Sequence, residues 1–273
     1  MNKMKKFMSA LSLVVMAFVC AFAFAGCGAS ADEFSKAESA TAEEITEYLD
    51  ERTELGLGNG FDMTLSTTMT MMNIKMTINA RIKILFDDDT VSKAVCTMGM
   101  SGNGTFKVYA YVKDSKLYTR TTGNMDGQKI DAKYVSDFDG DFGMGGQYDL
   151  QSIKDQIQES INQVVSTLTT SPAEVLETMG LKKIVDEENG TARFQIKSDY
   201  VDVDEETGKS TKLGTYTFVL GFEGNELVEI SASTKMSGMN VSTTIKTLTE
   251  ISDSEYPSET ELAKYVPGTM PLD

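Results

Sequence analysis

The residue types that carry most enzyme chemistry are scarce in this chain of 273 residues. It contains no His and three Cys, which are Cys20, Cys27 and Cys96. Without His there is no Ser-His-Asp triad, no Cys-His pair and no histidine-ligated zinc or copper site. Three Cys also fall short of a four-thiolate zinc site. We therefore predict a protein that is not an enzyme, with no catalytic residue, no metal site and no cofactor.

Two Asp-rich segments match the spacing of a calcium-binding loop only in part. The segment that begins at Asp137 has Phe142 and Tyr148 where an EF-hand loop requires Gly and Glu. The segment that begins at Asp202 departs from the template in the same way. We interpret both as solvated turns and leave weak calcium binding open.

The charge balance argues against one class of partner. The chain has 25 basic and 41 acidic side chains, which gives a formal net charge of −16. A strongly acidic protein repels the phosphate backbone, because nucleic-acid binding depends on neutralising phosphates with Lys and Arg. We expect no nucleic-acid partner.

The N-terminus has the organisation of a bacterial secretory signal. Three Lys within the first six residues precede an apolar run over residues 7–25, and Gly26 and Cys27 follow. The sequence Phe-Ala-Gly-Cys at 24–27 resembles the lipobox of bacterial lipoproteins. That resemblance implies removal of residues 1–26 and acylation of the Cys27 thiol, for example with palmitate. A spanning helix is the alternative, but no basic stop-transfer cluster follows. We expect an exported protein, anchored by lipid to the outer face of the bacterial cell membrane.

The remaining chain divides into a tether and one domain. Residues 27–40 are small and polar, which is typical of a tether. Thr41 and Glu44 have the spacing of a capping box, so a helix is expected to begin there. We therefore assign residues 41–273 to a single domain.

The sequence pattern of the domain predicts strands interrupted by two helices. From Phe61 the apolar period changes to two, with short turns that suit antiparallel hairpins and not crossovers. Residues 150–168 and 171–180 have helical spacing and start signals. Strands resume around Ala192 and continue to about Ile251. The prediction is an α+β fold, in which a large curved antiparallel sheet, an unclosed half-barrel, wraps around a few helices.

This order of elements resembles the LolA-like lipoprotein carriers, including the mycobacterial lipid-transfer lipoproteins of the LppX and LprG type. The resemblance covers about residues 41–250 and consists of a lipobox, a tether, a capped helix and two meanders around a helical insert. It implies a half-barrel with a concave apolar face covered by helices. It also implies a carrier of lipid.

Methionine is abundant, at 17 residues, and many of these alternate along predicted strands. An unbranched thioether adapts to ligands of varied shape, so such a face suits an apolar cavity, although an ordinary core is the alternative. The expected ligand is a lipid or acyl chain, held without covalent chemistry by a monomeric protein. The alternative function is an interaction or structural lipoprotein with a filled core that docks a cell-envelope partner. The residues predicted to line the cavity are Met69, Met71, Met76, Ile78, Ala80, Ile82, Met98, Met100, Phe218 and Leu220.

Overall fold

The computed structural model describes residues 33–50, 58–71, 74–87, 90–102, 104–125, 128–139, 155, 159, 180–203, 210–224 and 226–268. The helices with described bounds are α1 (Ala42–Asp50) and α2 (Glu259–Leu262), and short 3₁₀ segments span Glu33–Lys36 and Asp253–Glu255. The strands are β1 (Glu38–Ser39), β2 (Gly60–Met71), β3 (Ile74–Asp87), β4 (Thr90–Ser101), β5 (Thr105–Lys113), β6 (Lys116–Met125), β7 (Gln128–Asp137), β8 (Gly180–Asp186), β9 (Thr191–Val203), β10 (Ser210–Glu223), β11 (Glu226–Met236), β12 (Met239–Thr247) and β13 (Val266–Pro267).

All thirteen strands form one sheet in the order β1-β8-β9-β10-β11-β12-β2-β3-β4-β5-β6-β7-β13. Neighbouring strands are antiparallel except β7 and β13, which run parallel. Pairing of β12 with β2 joins the two meanders into one sheet. Because β1 and β13 end the order without pairing to each other, the sheet is unclosed. The prediction of a large unclosed antiparallel sheet is confirmed.

The hairpins follow from local sequence. Between β5 and β6, Asp114 and Ser115 have φ of 52° and 58°, and Lys113 pairs with Lys116. Two consecutive residues with positive φ characterise the type I′ turn, whose twist matches that of paired strands. The short turns expected between antiparallel strands are also seen between β2 and β3, where Met71 pairs with Ile74.

Side chains along each strand alternate between the two faces of the sheet. One face, here called the apolar face, carries the main buried cluster, including Phe61 and Ile84 at 0% exposure. The opposite face, here called the polar face, carries most of the strand lysines, arginines, serines and threonines.

Helix α1 packs on the apolar face and is capped as predicted. The Thr41 hydroxyl accepts a hydrogen bond from the Glu44 amide at 3.1 Å, and the Glu44 carboxylate accepts one from the Thr41 amide at 2.8 Å. Hydrogen bonding from Lys183 of β8, with Nζ 2.6 Å from Oε1, further lowers the Glu44 pKa. The helix thereby covers the β8 end of the apolar face.

Packed structure begins earlier than the sequence predicts. We expected a tether up to residue 40, yet Phe34 is 1% exposed and β1 pairs with β8. Arg193 of β9 forms an ion pair with Glu33 and lies 5.7 Å from the Phe34 ring centroid. From residue 33 the chain thus runs along the polar face, passes the β8 edge as β1, and enters α1 on the apolar face. One large aromatic anchors a segment whose composition otherwise suggests a tether.

Residues 248–268, here called the C-terminal strap, cross the polar face of β3–β7. Its acidic side chains meet lysines of three strands, and its two tyrosines meet strand tyrosines. The contacts are Lys83 with Glu255 at 2.6 Å, Lys113 with Glu259 at 2.8 Å, Lys133 with Glu261 at 2.6 Å, and ring centroids 6.3 Å apart for Tyr111 and Tyr256 and 5.5 Å for Tyr118 and Tyr265. The strap ends as β13 beside β7.

The strap should weaken in acid through Glu261. Hydrogen bonds from Lys133 and Lys264 lower the pKa of this carboxyl from its ordinary 4.5 to about 2. A group whose pKa is depressed on folding stabilises the fold above its unfolded pKa, and this contribution is lost as pH falls through the folded pKa. We expect E261Q to lower stability at pH 7, and the difference from wild type to shrink between pH 4.5 and about 2.

Urea unfolding at a series of pH values measures this difference. The matched control is E259Q, because the Glu259 side chain is 81% exposed in its pair with Lys113 and exposed pairs contribute little. Equal effects of the two substitutions at every pH would contradict the assignment to Glu261.

Strands at both edges of the sheet were not predicted from the sequence. The predicted strands resume near Ala192, whereas β8 begins at Gly180, and neither β7 nor β13 was predicted. The predicted helices over residues 150–168 and 171–180 lie outside the described residues, apart from Asp155 and Glu159, which are helical, and Gly180.

Candidate functional site

The sheet register places the predicted cavity residues on one face. Met69 pairs with Met76, Ile78 with Met100, Ala80 with Met98, and Phe218 is joined to these strands through β11, β12 and β2. Met71 shares the register, but its side chain lies outside the described residues. Because side chains in direct register share a face, these residues form one continuous surface.

One half of the apolar face is filled by the protein's own side chains. Ile45 of α1 is 2% exposed, and the Tyr48 ring lies 5.0 Å from the rings of both Phe194 and Phe222. Leu220, a predicted cavity residue, is 1% exposed within this cluster, and Ile82 packs against it. We call this region the packed half; its buried members include Phe61, Met63, Ile84, Phe86, Ala94, Val112, Leu117, Phe194, Leu220, Phe222, Leu227 and Ile245.

The other half of the apolar face is only partly buried. It begins about two residues further along each strand, towards the β2–β3 and β11–β12 turns. Leu65, Ile78 and Ala232 are 7%, 5% and 5% exposed there, but the residues around them keep more of their surface in solvent. We call this region the open half; its partly exposed members are Met69, Met76, Ala80, Met98, Met100, Phe106, Val108, Phe218 and Val241.

Three residues of this surface were not predicted from the sequence. Phe106 pairs with Met100, Val108 with Met98, and Val241 with Thr67, so all three face the same way as the predicted residues. The alternation of Phe106 and Val108 along β5 was a usable signal. Buried hydroxyls of Thr119, Thr121 and Thr234 also interrupt the apolar face, and nothing in their sequence context distinguishes them from surface threonines.

The single cysteine in the described residues is not poised for chemistry. Cys96 lies on the apolar face between Ile82 of β3 and Ala110 of β5. The residue is partly exposed, but burial of the thiol raises its pKa to about 12. Because the thiolate is the reactive form, Cys96 is not a nucleophile near neutral pH.

The described residues also lack the usual donor clusters. No group of three or more Cys, Asp or Glu side chains within them is arranged to hold a metal ion. In the same part of the chain, no helix has both the length and the apolar character needed to cross a bilayer. Of the first Asp-rich segment only residues 137–139 fall within the described residues, and of the second only residues 202–203 do. Residues 1–26 and Cys27 lie outside the described residues.

Comparison with known proteins gives similarity only to solved structures. No family model and no curated protein matches the chain. A domain described as an outer membrane lipoprotein-sorting protein domain from Vibrio parahaemolyticus is 13% identical, with 79% of this chain and 97% of that chain covered and a TM-score of 0.22. A DUF1329 family protein from Desulfovibrio piger is 7% identical, with 81% and 97% covered and a TM-score of 0.23. At these TM-scores neither likeness supports an argument about function.

Proposed function

We propose that this protein is an exported lipoprotein, anchored to the outer face of the cell membrane through Cys27, that holds an apolar ligand on the open half of its apolar face. The ligand is a lipid or one of its acyl chains. The protein acts by burial and orientation, and no bond of the ligand is made or broken.

The observation that supports this proposal is the unequal burial of one continuous apolar surface. The packed half is filled, whereas Met69, Ala80, Met98 and Met100 remain partly exposed beside it. Contiguous apolar surface left in solvent marks a site for a ligand, a partner or a membrane. Flexible thioethers favour a ligand of variable shape, since they repack around different chains.

The binding energy would come from removing methylene groups from water. Each buried methylene contributes about 0.8 kcal/mol, so an acyl chain gains several kcal/mol before the cost of ordering it. The buried Thr121 and Thr234 hydroxyls lie on the same face, but the apolar contacts carry the affinity in this proposal.

Native mass spectrometry of residues 28–273, purified without detergent and followed by solvent extraction, tests ligand binding. We expect a bound mass that extracts as lipid. The variant A80W should lose it, because an indole at this position fills the centre of the open half.

The matched control is N79W, one residue away on the polar face, where Asn79 is exposed; this variant should keep the lipid. A wild-type protein that carries no ligand and takes up no added phospholipid would favour the alternative, a lipoprotein with a filled core that docks an envelope partner. Labelled palmitate incorporation, lost in C27S, tests the anchor separately.

A further inference from the structure

Four methionines from four neighbouring strands lie side by side at one end of the apolar face. Met236 pairs with Met239 across the β11–β12 hairpin, Met239 pairs with Met69, and Met69 pairs with Met76. Directly opposed residues have Cβ atoms about 5 Å apart. We call this row the methionine ladder. It is built only when β12 pairs with β2, so residues 160 positions or more apart in the sequence become neighbours.

The ladder is accessible from solvent. Met239 is 36% exposed, and Met69, Met76 and Met236 are partly exposed. Small ligands and ions can therefore reach the thioether sulfurs without unfolding the packed half.

Glycines flank both ends of the ladder and leave room for its outer side chains. A Cβ at Gly214, which pairs with Met236, would lie 2.9 Å from the Met236 Cγ. A Cβ at Gly102 would lie 3.3 Å from the Met76 Cγ. The outer methionines thus pack over bare backbone, so the ladder side chains share a confined row.

We propose that the methionine ladder binds a soft monovalent metal ion, Cu(I), through the thioether sulfurs of Met239, Met69 and Met76. Met69 is central, with a methionine in register on each side, so three flexible side chains can converge on one ion. Met236 stands next in the row as a further donor.

The chemistry of the donors selects the ion. Thioethers are soft ligands and favour Cu(I), whereas Ca²⁺ and Mg²⁺ require oxygen ligands. Zinc in proteins is held by thiolate, imidazole and carboxylate, none of which lies in this row. The net charge of −16 also draws cations towards the protein. This inference rests on the register and exposure of the methionines and does not depend on whether a lipid binds.

Competition with the chromophoric chelator bicinchoninate, in ascorbate to keep copper reduced, tests the proposal. The protein is the full chain with C20S and C27S, so that no N-terminal thiol competes, and Cys96 contributes equally to every variant. We expect one equivalent of Cu(I) to be withheld from the chelator. The triple variant M69L/M76L/M239L should withhold no Cu(I) from the chelator. M69L alone should bind Cu(I) at least tenfold more weakly.

The matched control is M98L, which removes another partly exposed thioether from the same face but outside the ladder; it should bind as the parent does. Leucine has nearly the volume of methionine, so folding is preserved and is checked by circular dichroism. X-ray absorption at the copper edge should show sulfur ligands in the parent and lose that signature in the triple variant. No copper withheld from bicinchoninate, or an undiminished triple variant, would overturn the proposal.

Discussion

Replacing Phe61 with alanine should lower the free energy of unfolding by about 3–5 kcal/mol, the usual cost of truncating a buried aromatic. Phe61 is 0% exposed and its ring lies 6.1 Å from that of Phe86 in the packed half. Chemical denaturation, with the midpoint and slope followed separately, measures this loss.

Met69 supplies the matched comparison, because it lies on the same strand and the same face but in the open half. Its truncation to alanine should cost less, about 1–2 kcal/mol, since Met69 is partly exposed and part of its surface is already in water. Losses of similar size at the two positions would show that both halves are equally filled. The proposed ligand site on the open half would then be contradicted.

Tyr256 gives the second large effect, with opposite signs for two substitutions. This residue of the C-terminal strap is 7% exposed and packs with Ile251 and with Val95 of β4. Its hydroxyl is buried and has no hydrogen-bond partner among the described residues, and this burial raises its pKa. An unsatisfied buried hydroxyl costs about 1–3 kcal/mol.

We therefore expect Y256F to raise the free energy of unfolding by about 1 kcal/mol and Y256A to lower it by about 3–5 kcal/mol through the cavity it leaves. Thermal and urea unfolding of both variants measure the two shifts. The Tyr265 hydroxyl is buried in the same way, so Y265F should repeat the gain. A loss of stability in Y256F would mean that its hydroxyl is hydrogen-bonded after all.

The predictable part of this fold is the part encoded over a few residues. Alternation along β2 and β3, the Asp114-Ser115 turn and the capping box of Thr41 and Glu44 each depend on neighbours in sequence. The pairing of β12 with β2 does not, because it brings Met239 beside Met69 across most of the chain. Local patterns specify hairpins, whereas the order of hairpins in the sheet depends on long-range packing.

The edges of the sheet illustrate the same limit. In β8, Lys182 and Lys183 interrupt the apolar pattern. Lys182 donates a hydrogen bond to the Phe34 carbonyl, and Lys183 forms an ion pair with Glu44. Each lysine has a partner distant in sequence, so the strand looks like a charged loop when read alone. Phe34 was similarly obscured by its small, polar neighbours.

The sequence pattern predicts which residues share a face of the sheet but not how deeply each one is buried. Parity along each strand correctly places Ile82, Ala80 and Leu220 on one surface. Which of them is filled depends on what packs above, here Ile45 and Tyr48 of α1. That information lies in tertiary contacts and not in the period of the strands.

The early start of packed structure limits how far the domain can move from a membrane. If Cys27 is acylated as proposed, six residues lead from the anchor to Glu33, which the Arg193 ion pair holds against the sheet. Even fully extended, a linker of this length spans only about 20 Å. The domain would then stay within a thin layer just above the lipid headgroups. A partner further from the membrane would have to approach this layer to bind. Exchange of a ligand with the bilayer would then need only a tilt of the domain, and no diffusion away from the membrane.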